Sequence, residues 1–121
     1  MGRPMKKRSE DDLQIACMSY MRLVYPDVLA FHVPNGGKRN PREAAKFKRM
    51  GVLAGVPDIL IIQKLHHYCG LAIELKIDRN KSTKQQKTVQ AQFSKVGWQV
   101  HEVRSIDDFI KIVDEYLTPK N

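Results

Sequence analysis

Cysteine is scarce: Cys17 and Cys69 are the only two among 121 residues, and neither belongs to a CxxC pair. A disulfide framework is excluded, and a reducing, cytoplasmic setting is the expectation. Long hydrophobic runs are missing as well. The longest candidate, 56–62, is interrupted by Pro57 and Asp58, well short of the roughly 18 to 20 apolar residues that a membrane span needs. The basic opening MGRPMKKRSEDD is followed by no apolar h-region, so it does not read as a secretory signal. Internal repeats and low-complexity segments are absent. Negative charge is in deficit, with 13 Asp and Glu against 21 Lys and Arg, a formal charge of +8. What is present is an ordinary hydrophobic share of 42%, enough for one core. The expectation is a basic tail over 1–8 and a single domain over 9–121.

The positive charge is regional. Residues 1–8 carry Arg3, Lys6, Lys7 and Arg8; residues 38–49 carry Lys38, Arg39, Arg42, Lys46, Lys48 and Arg49; residues 76–87 carry Lys76, Arg79, Lys81, Lys84 and Lys87. From Gly97 onward anions outnumber cations. Such clustering fits a chain that meets a polyanion on one side, the alternative being solvated loops and helix faces.

Ser9 with Asp12 reads as a capping box opening an amphipathic helix through Leu13, Ala16, Cys17, Tyr20, Met21 and Val24, stopped by Pro26. Residues 28–33 read as a strand that ends at Pro34. PNGGKRNPRE is a loop in which Asn40 caps a short basic helix with Pro41 in its first turn and Gly51 at its end. Residues 58–63 and 71–76 read as two strands joined by a hairpin over 64–70. Thr83 starts a helix expected to bury Val89, Phe93 and Val96 and to close at Gly97. Residues 98–103 alternate as a strand. A second capping box, Ser105 with Asp108, opens a final helix whose apolar stripe is Phe109, Ile112, Val113, Tyr116 and Leu117. The order α β α β β α β α predicts an α/β layer fold, the last strand arriving through a helical crossover.

Along residues 71–76, alternation puts Ala72, Glu74 and Lys76 on one face and Leu71, Ile73 and Leu75 on the other, with only the second set expected in the core. A carboxylate and an ammonium then stand about 7 Å apart on one strand surface. Asp58 opens the neighbouring strand. Two carboxylates meeting on a sheet face are costly unless a cation lies between them. A hard divalent ion resolves the conflict, since Mg²⁺ takes one or two carboxylates and completes its shell with water and phosphate oxygens. Lys76 beside it can orient a water or neutralise charge on phosphorus. Without a cation, the same residues would be a strand start and a solvated pair on an exposed sheet face.

The string GVPDILII followed by GLAIELK places PD sixteen residues before ExK. This resembles the PD-(D/E)XK nuclease superfamily. SEDDLQ, HVPNGGKR, AGVPD, IELK, a Gln twelve residues after Glu74 and GWQVHEV, in that order from about Ser9 to Leu117, are similar to the VRR-NUC (virus-type replication-repair nuclease) family. The resemblance implies a restriction-endonuclease-like core, a mixed central sheet flanked by helices. It implies Asp58 and Glu74 as metal-binding carboxylates, Lys76 as the catalytic lysine and Gln86, or Gln85 beside it, as the active-site glutamine. It also implies Glu10, or Asp11 or Asp12, as the helix acidic residue, and the carbonyl of Leu75 as a further metal ligand. The activity implied is a Mg²⁺-dependent DNA endonuclease, Mn²⁺ substituting, without organic cofactor or membrane partner. Its substrates would be branched DNA, including four-way junctions cut by a homodimer. Asn35, Gly36, Gly37, Lys38, Arg39, Arg42, Lys46, Lys81 and Lys84 are the candidate contacts to the phosphate backbone. The rival reading is a non-catalytic basic module for DNA or RNA.

Outside that set, His66 and His67 are expected at a hairpin tip and His32 in packing or orientation. Trp98 is expected to pack under a helix and Cys17 to act as a small hydrophobe.

Overall fold

The computed structural model describes residues 9–34 and 40–118, and its elements follow the expected order. They are α1 (Glu10–Val24), β1 (Leu29–His32), α2 (Pro41–Arg49), β2 (Ile59–Ile62), β3 (Gly70–Leu75), α3 (Lys84–Lys95), β4 (Trp98–Val103) and α4 (Ile106–Leu117). The tail over 1–8 lies outside the described residues. No helix among those described is long and apolar enough to cross a membrane.

Local chemistry fixes where the helices start. Ser9 Oγ accepts the Asp12 N–H at 3.0 Å while the Asp12 carboxylate accepts the Ser9 N–H at 3.2 Å, so the first capping box is complete. Asn40 Oδ1 accepts the Glu43 N–H at 2.8 Å, with Pro41 in the first turn of α2. Gly51 takes a φ of +98° past the end of that helix, a left-handed backbone suited to glycine. Ser105 accepts the Asp108 N–H at 3.1 Å, but the reciprocal half expected there does not form. The complete second box belongs instead to Thr83 and Gln86 at the start of α3.

The strands lie in the order β1-β2-β3-β4, antiparallel except for the parallel pair β3–β4 that the α3 crossover imposes. In register, Ile59 faces Ile73, Leu60 faces Ala72, and Glu74 faces Glu102. One side of the sheet is covered by α1 and α4. Leu13, Cys17 and Met21 from α1 and Phe109, Val113 and Tyr116 from α4 pack there on Ile59, Ile61, Leu71, Ile73, Leu75 and Val103. Tyr20 and Tyr25 both donate to Asp114 Oδ1, at 2.6 and 2.7 Å, tying α1 to α4.

On the other side, α3 covers only β3 and β4. Phe93 meets the Trp98 ring edge-on at 5.2 Å, and Gly70 lies under that indole with too little room for a Cβ, which would come within 2.5 Å of it. The one-faced core expected for β3 is therefore corrected. All six residues Gly70–Leu75 are buried, because this central strand is covered by α1 and α4 on one face and by α3 on the other. Two smaller expectations also fail: Val24 and Val96 are exposed, each lying at a helix end past the last residue that reaches the core.

Candidate active site

Asp58 stands just before β2, on the α3 side of the sheet by alternation from buried Ile59. Its Oδ2 accepts the Leu75 N–H at 2.7 Å. Its main-chain carbonyl accepts the Val33 N–H at 2.8 Å and lies 2.8 Å from His32 Nδ1, which must carry the proton to donate there. His32 thus orients the Asp58 peptide from the neighbouring strand.

Glu74, on the same face of β3, is 1% exposed, and its Oε1 has no hydrogen-bond partner. Burial, first, and then hydrogen bonding with and the negative charge of Asp58 push its carboxyl up to about 9, against the opposing pull of the Lys76 ammonium and the Gln90 amide. The two acids therefore meet, as the strand pairing demanded. A carboxyl whose ionisation is opposed by burial and by a neighbouring acid is what a bound cation would favour in its charged form.

Lys76 is 7% exposed, and its Nζ donates to Gln86 Oε1 at 2.7 Å. The same Oε1 accepts the Thr83 N–H at 2.8 Å, so the capping box of α3 holds the amide that holds the lysine. Gln85 points elsewhere, its Nε2 donating to the Ala54 carbonyl at 3.0 Å. Of the two adjacent glutamines, Gln86 faces the ExK strand.

Glu10 reaches the cluster from the first turn of α1. Its carboxyl is raised by burial and by Asp58, and lowered by Lys76, so it lies within electrostatic range of both. Asp12 is engaged by the Ser9 cap and Asp11 is exposed. Among the three acids it is Glu10 that adjoins the pocket. Four elements far apart in sequence thus converge: α1, the start of β2, the end of β3 and the first turn of α3.

The donor set can be weighed against the chemistry of an ion. Among the described residues, no group of three or more His, Cys, Asp or Glu side chains is arranged as a ligand set. Two carboxylates with one unpartnered buried oxygen suit a hard ion that keeps most of its water, and not a closed zinc cage. The Leu75 peptide lies beside the Asp58 carboxylate, engaged through its N–H. The residues fit Mg²⁺.

Arg42 and Lys46 are exposed on α2, and Lys81 and Lys84 are exposed around the N-terminus of α3, next to the turn that holds Lys76. The other candidate contacts, Asn35, Gly36, Gly37, Lys38 and Arg39, lie outside the described residues. His66 is at the hairpin turn, 2.9 Å from the Tyr116 carbonyl, at the opposite end of β2 and β3 from the acids. Burial lowers the His101 pKa, and its ring pairs with Gln99 at 2.9 Å.

Sequence reasoning missed Ser82, Gln90 and Glu102. Gln90 Nε2 donates to Ser82 Oγ at 3.0 Å, and Ser82 Oγ donates to Glu102 Oε1. The available signal was Gln86-x3-Gln90, two amides on one helix face.

No family model matches the chain, and no curated protein matches it. A solved structure does: a chain described as "VRR_NUC domain protein" superposes with a TM-score of 0.80 at 32% sequence identity, covering 93% of this chain and 91% of its own.

Proposed function

This chain belongs to the VRR-NUC family, whose mixed α/β fold and nuclease character it shares, and from that premise we propose that it is a Mg²⁺-dependent, structure-selective DNA endonuclease. The observation that carries the reading is Glu74 Oε1, buried without a partner beside the Asp58 carboxyl. An acid in that state is a poor stabiliser of a fold and a good ligand.

When bound, a divalent ion supplies Lewis acidity to a phosphodiester oxygen and acidifies water. The chain's own groups do the rest. Asp58 and Glu74 would hold the cation, Asp58 being kept in place by the Leu75 amide. Lys76, its Nζ aimed by Gln86, neutralises charge that builds on the phosphoryl oxygens as the bond to the leaving oxygen lengthens. Glu10 accepts a hydrogen bond from the attacking water and orients it. Arg42, Lys46, Lys81 and Lys84 hold backbone phosphates at the rim, a contact that positions DNA without reading bases.

We also propose a homodimer that presents two such pockets to a four-way junction. Support comes from an apolar strip on the uncovered half of the α3-side sheet face. Leu29, Phe31 and Ile62 are 61%, 41% and 37% exposed there, and Leu29 and Ile62 are register partners.

The test is cleavage of duplex, flap, splayed-arm and four-way DNA with Mg²⁺, Mn²⁺ or EDTA, by the wild-type chain and by Asp58→Asn and Glu74→Gln. Cleavage that needs the divalent ion and falls at least ~100-fold in both variants, with DNA binding retained or tighter, is expected. Binding by all three with cleavage by none would leave the non-catalytic module. Sedimentation of the chain alone and with junction DNA tests the dimer.

A further inference from the structure

Helix α3 runs antiparallel to β3, since it carries the chain back so that β4 can pair parallel with β3. Two residues along a strand advance about 6.6 Å. Four residues along a helix advance about 6 Å. Glu74 and Lys76 on β3 are therefore matched in pitch by Gln90 and Gln86 on α3, taken in reverse order. Gln86 Oε1 accepts from Lys76 Nζ at 2.7 Å, and one turn later the Gln90 amide stands within electrostatic reach of the Glu74 carboxyl.

The Gln90 amide is itself oriented. Its Nε2 donates to Ser82 Oγ at 3.0 Å, so Ser82 must turn its own hydroxyl hydrogen away, towards Glu102 Oε1. Ser82 is 7% exposed, and Glu102 is the in-register partner of Glu74 on β4, paired at its outer oxygen with Arg104 Nη2 at 3.8 Å. The Gln90 amide has two N–H donors, and the one committed to Ser82 Oγ leaves the second for the Glu74 carboxyl. Glu74 keeps its buried Oε1 without a partner.

We propose that Gln90, Ser82 and Glu102 form a positioning relay that holds the Glu74 carboxylate in the orientation that receives the divalent ion. The proposal rests on the reading of Glu74 as a metal-binding residue. None of the three contacts the substrate; they act through Glu74, as outer hydrogen-bond partners of a metal ligand commonly do.

The test measures Mn²⁺ affinity of the full chain without DNA, from the electron paramagnetic resonance signal of the free ion, alongside kcat and KM for cleavage. The wild-type chain should bind Mn²⁺ and Asp58→Asn should not. Gln90→Ala should weaken Mn²⁺ binding about tenfold and lower kcat at subsaturating Mn²⁺, with KM for DNA unchanged. Glu102 is exposed at the sheet rim, so its variants fold even if Gln90→Ala does not. Glu102→Gln keeps an acceptor for Ser82 and should bind Mn²⁺ like the wild-type chain, whereas Glu102→Leu should bind it several-fold more weakly. Wild-type Mn²⁺ affinity in both Gln90→Ala and Glu102→Leu, with Asp58→Asn impaired, overturns the relay and leaves the metal site standing. No Mn²⁺ binding by the wild-type chain overturns the metal reading, and the relay with it.

Discussion

The carboxylate of Asp58 is fastened to the backbone N–H of Leu75, 2.7 Å away, so the acid that precedes β2 is held by the residue that follows the acid of β3. The spacing between Asp58 and Glu74 is thus set by main-chain geometry more than by side-chain rotamers. Repulsion between them cannot be relieved by swinging Asp58 aside without breaking a hydrogen bond to a charged group, a loss of about 1.5 to 3 kcal/mol.

The first prediction concerns pH in metal-free protein. Glu74 is raised to about 9 in the fold from an ordinary value of 4.5, mainly by burial and next by Asp58. Between those values the native state holds a proton that the unfolded chain has lost, so stability is full below about pH 4.5 and declines as pH rises towards 9. The slope is at most about 1.4 kcal/mol per pH unit. Thermal melts in EDTA should show Tm falling across that window, Glu74→Gln should flatten the dependence, and Mg²⁺ should oppose it. A wild-type melt as flat as that of Glu74→Gln would contradict the raised value.

Lys76→Met keeps most of the aliphatic stem and removes the charge. A group that acts only as charge builds on the phosphoryl oxygens lowers kcat without raising KM, and a loss of ~100-fold is expected at saturating Mg²⁺. Lys76→Arg should not restore activity, because the planar guanidinium does not fit a single Gln86 oxygen already shared with the Thr83 N–H. Steady-state kinetics on one oligonucleotide decide both points.

Asp114→Ala tests the tether between α1 and α4. One carboxylate oxygen accepts two tyrosine hydroxyls, and burial with that bond pushes Tyr20 up to about 12 and Tyr25 higher still. Both remain donors throughout the neutral range. Removing the acceptor should cost about 2 kcal/mol and lower Tm by about 8 °C, read by calorimetry.

DNA binding should weaken steeply with salt, since cations that displace counterions dominate affinity for a backbone. Lys81→Ala with Lys84→Ala should reduce the slope of log K against log salt by roughly 2. A slope unchanged by the pair would remove them from the interface.

The fold was largely legible because its punctuation is local. Ser9 with Asp12, Asn40 with Pro41, and Gly51 each act on their own turn of chain, and period-two alternation put Glu74 and Lys76 on one face. The acids came within reach of reasoning because Pro57-Asp58 and ExK flank a hairpin, where register follows from the turn. What stayed hidden depends on what lies above a strand. Alternation says which residues share a face, not whether a helix covers it, so Ala72 and Glu74 were read as surface residues although α3 and the β4 neighbour bury them. Ser82, Gln90 and Glu102 were missed for the same reason: their meeting needs the parallel pairing of β4, a contact between segments that no local pattern announces. That Glu10 lies within electrostatic range of Asp58 and Lys76 depends on how α1 docks on the sheet, which no local pattern gives, while Asp12 is taken up by the Ser9 cap.

The return of the chain through α3 to a strand parallel to β3 has a bearing on when the site is assembled. During synthesis, Asp58 and Glu74 leave the ribosome well before β4, and until that last strand docks, nothing holds α3 against them. The four-element arrangement of acids, lysine and glutamine is therefore complete only when the sheet has closed.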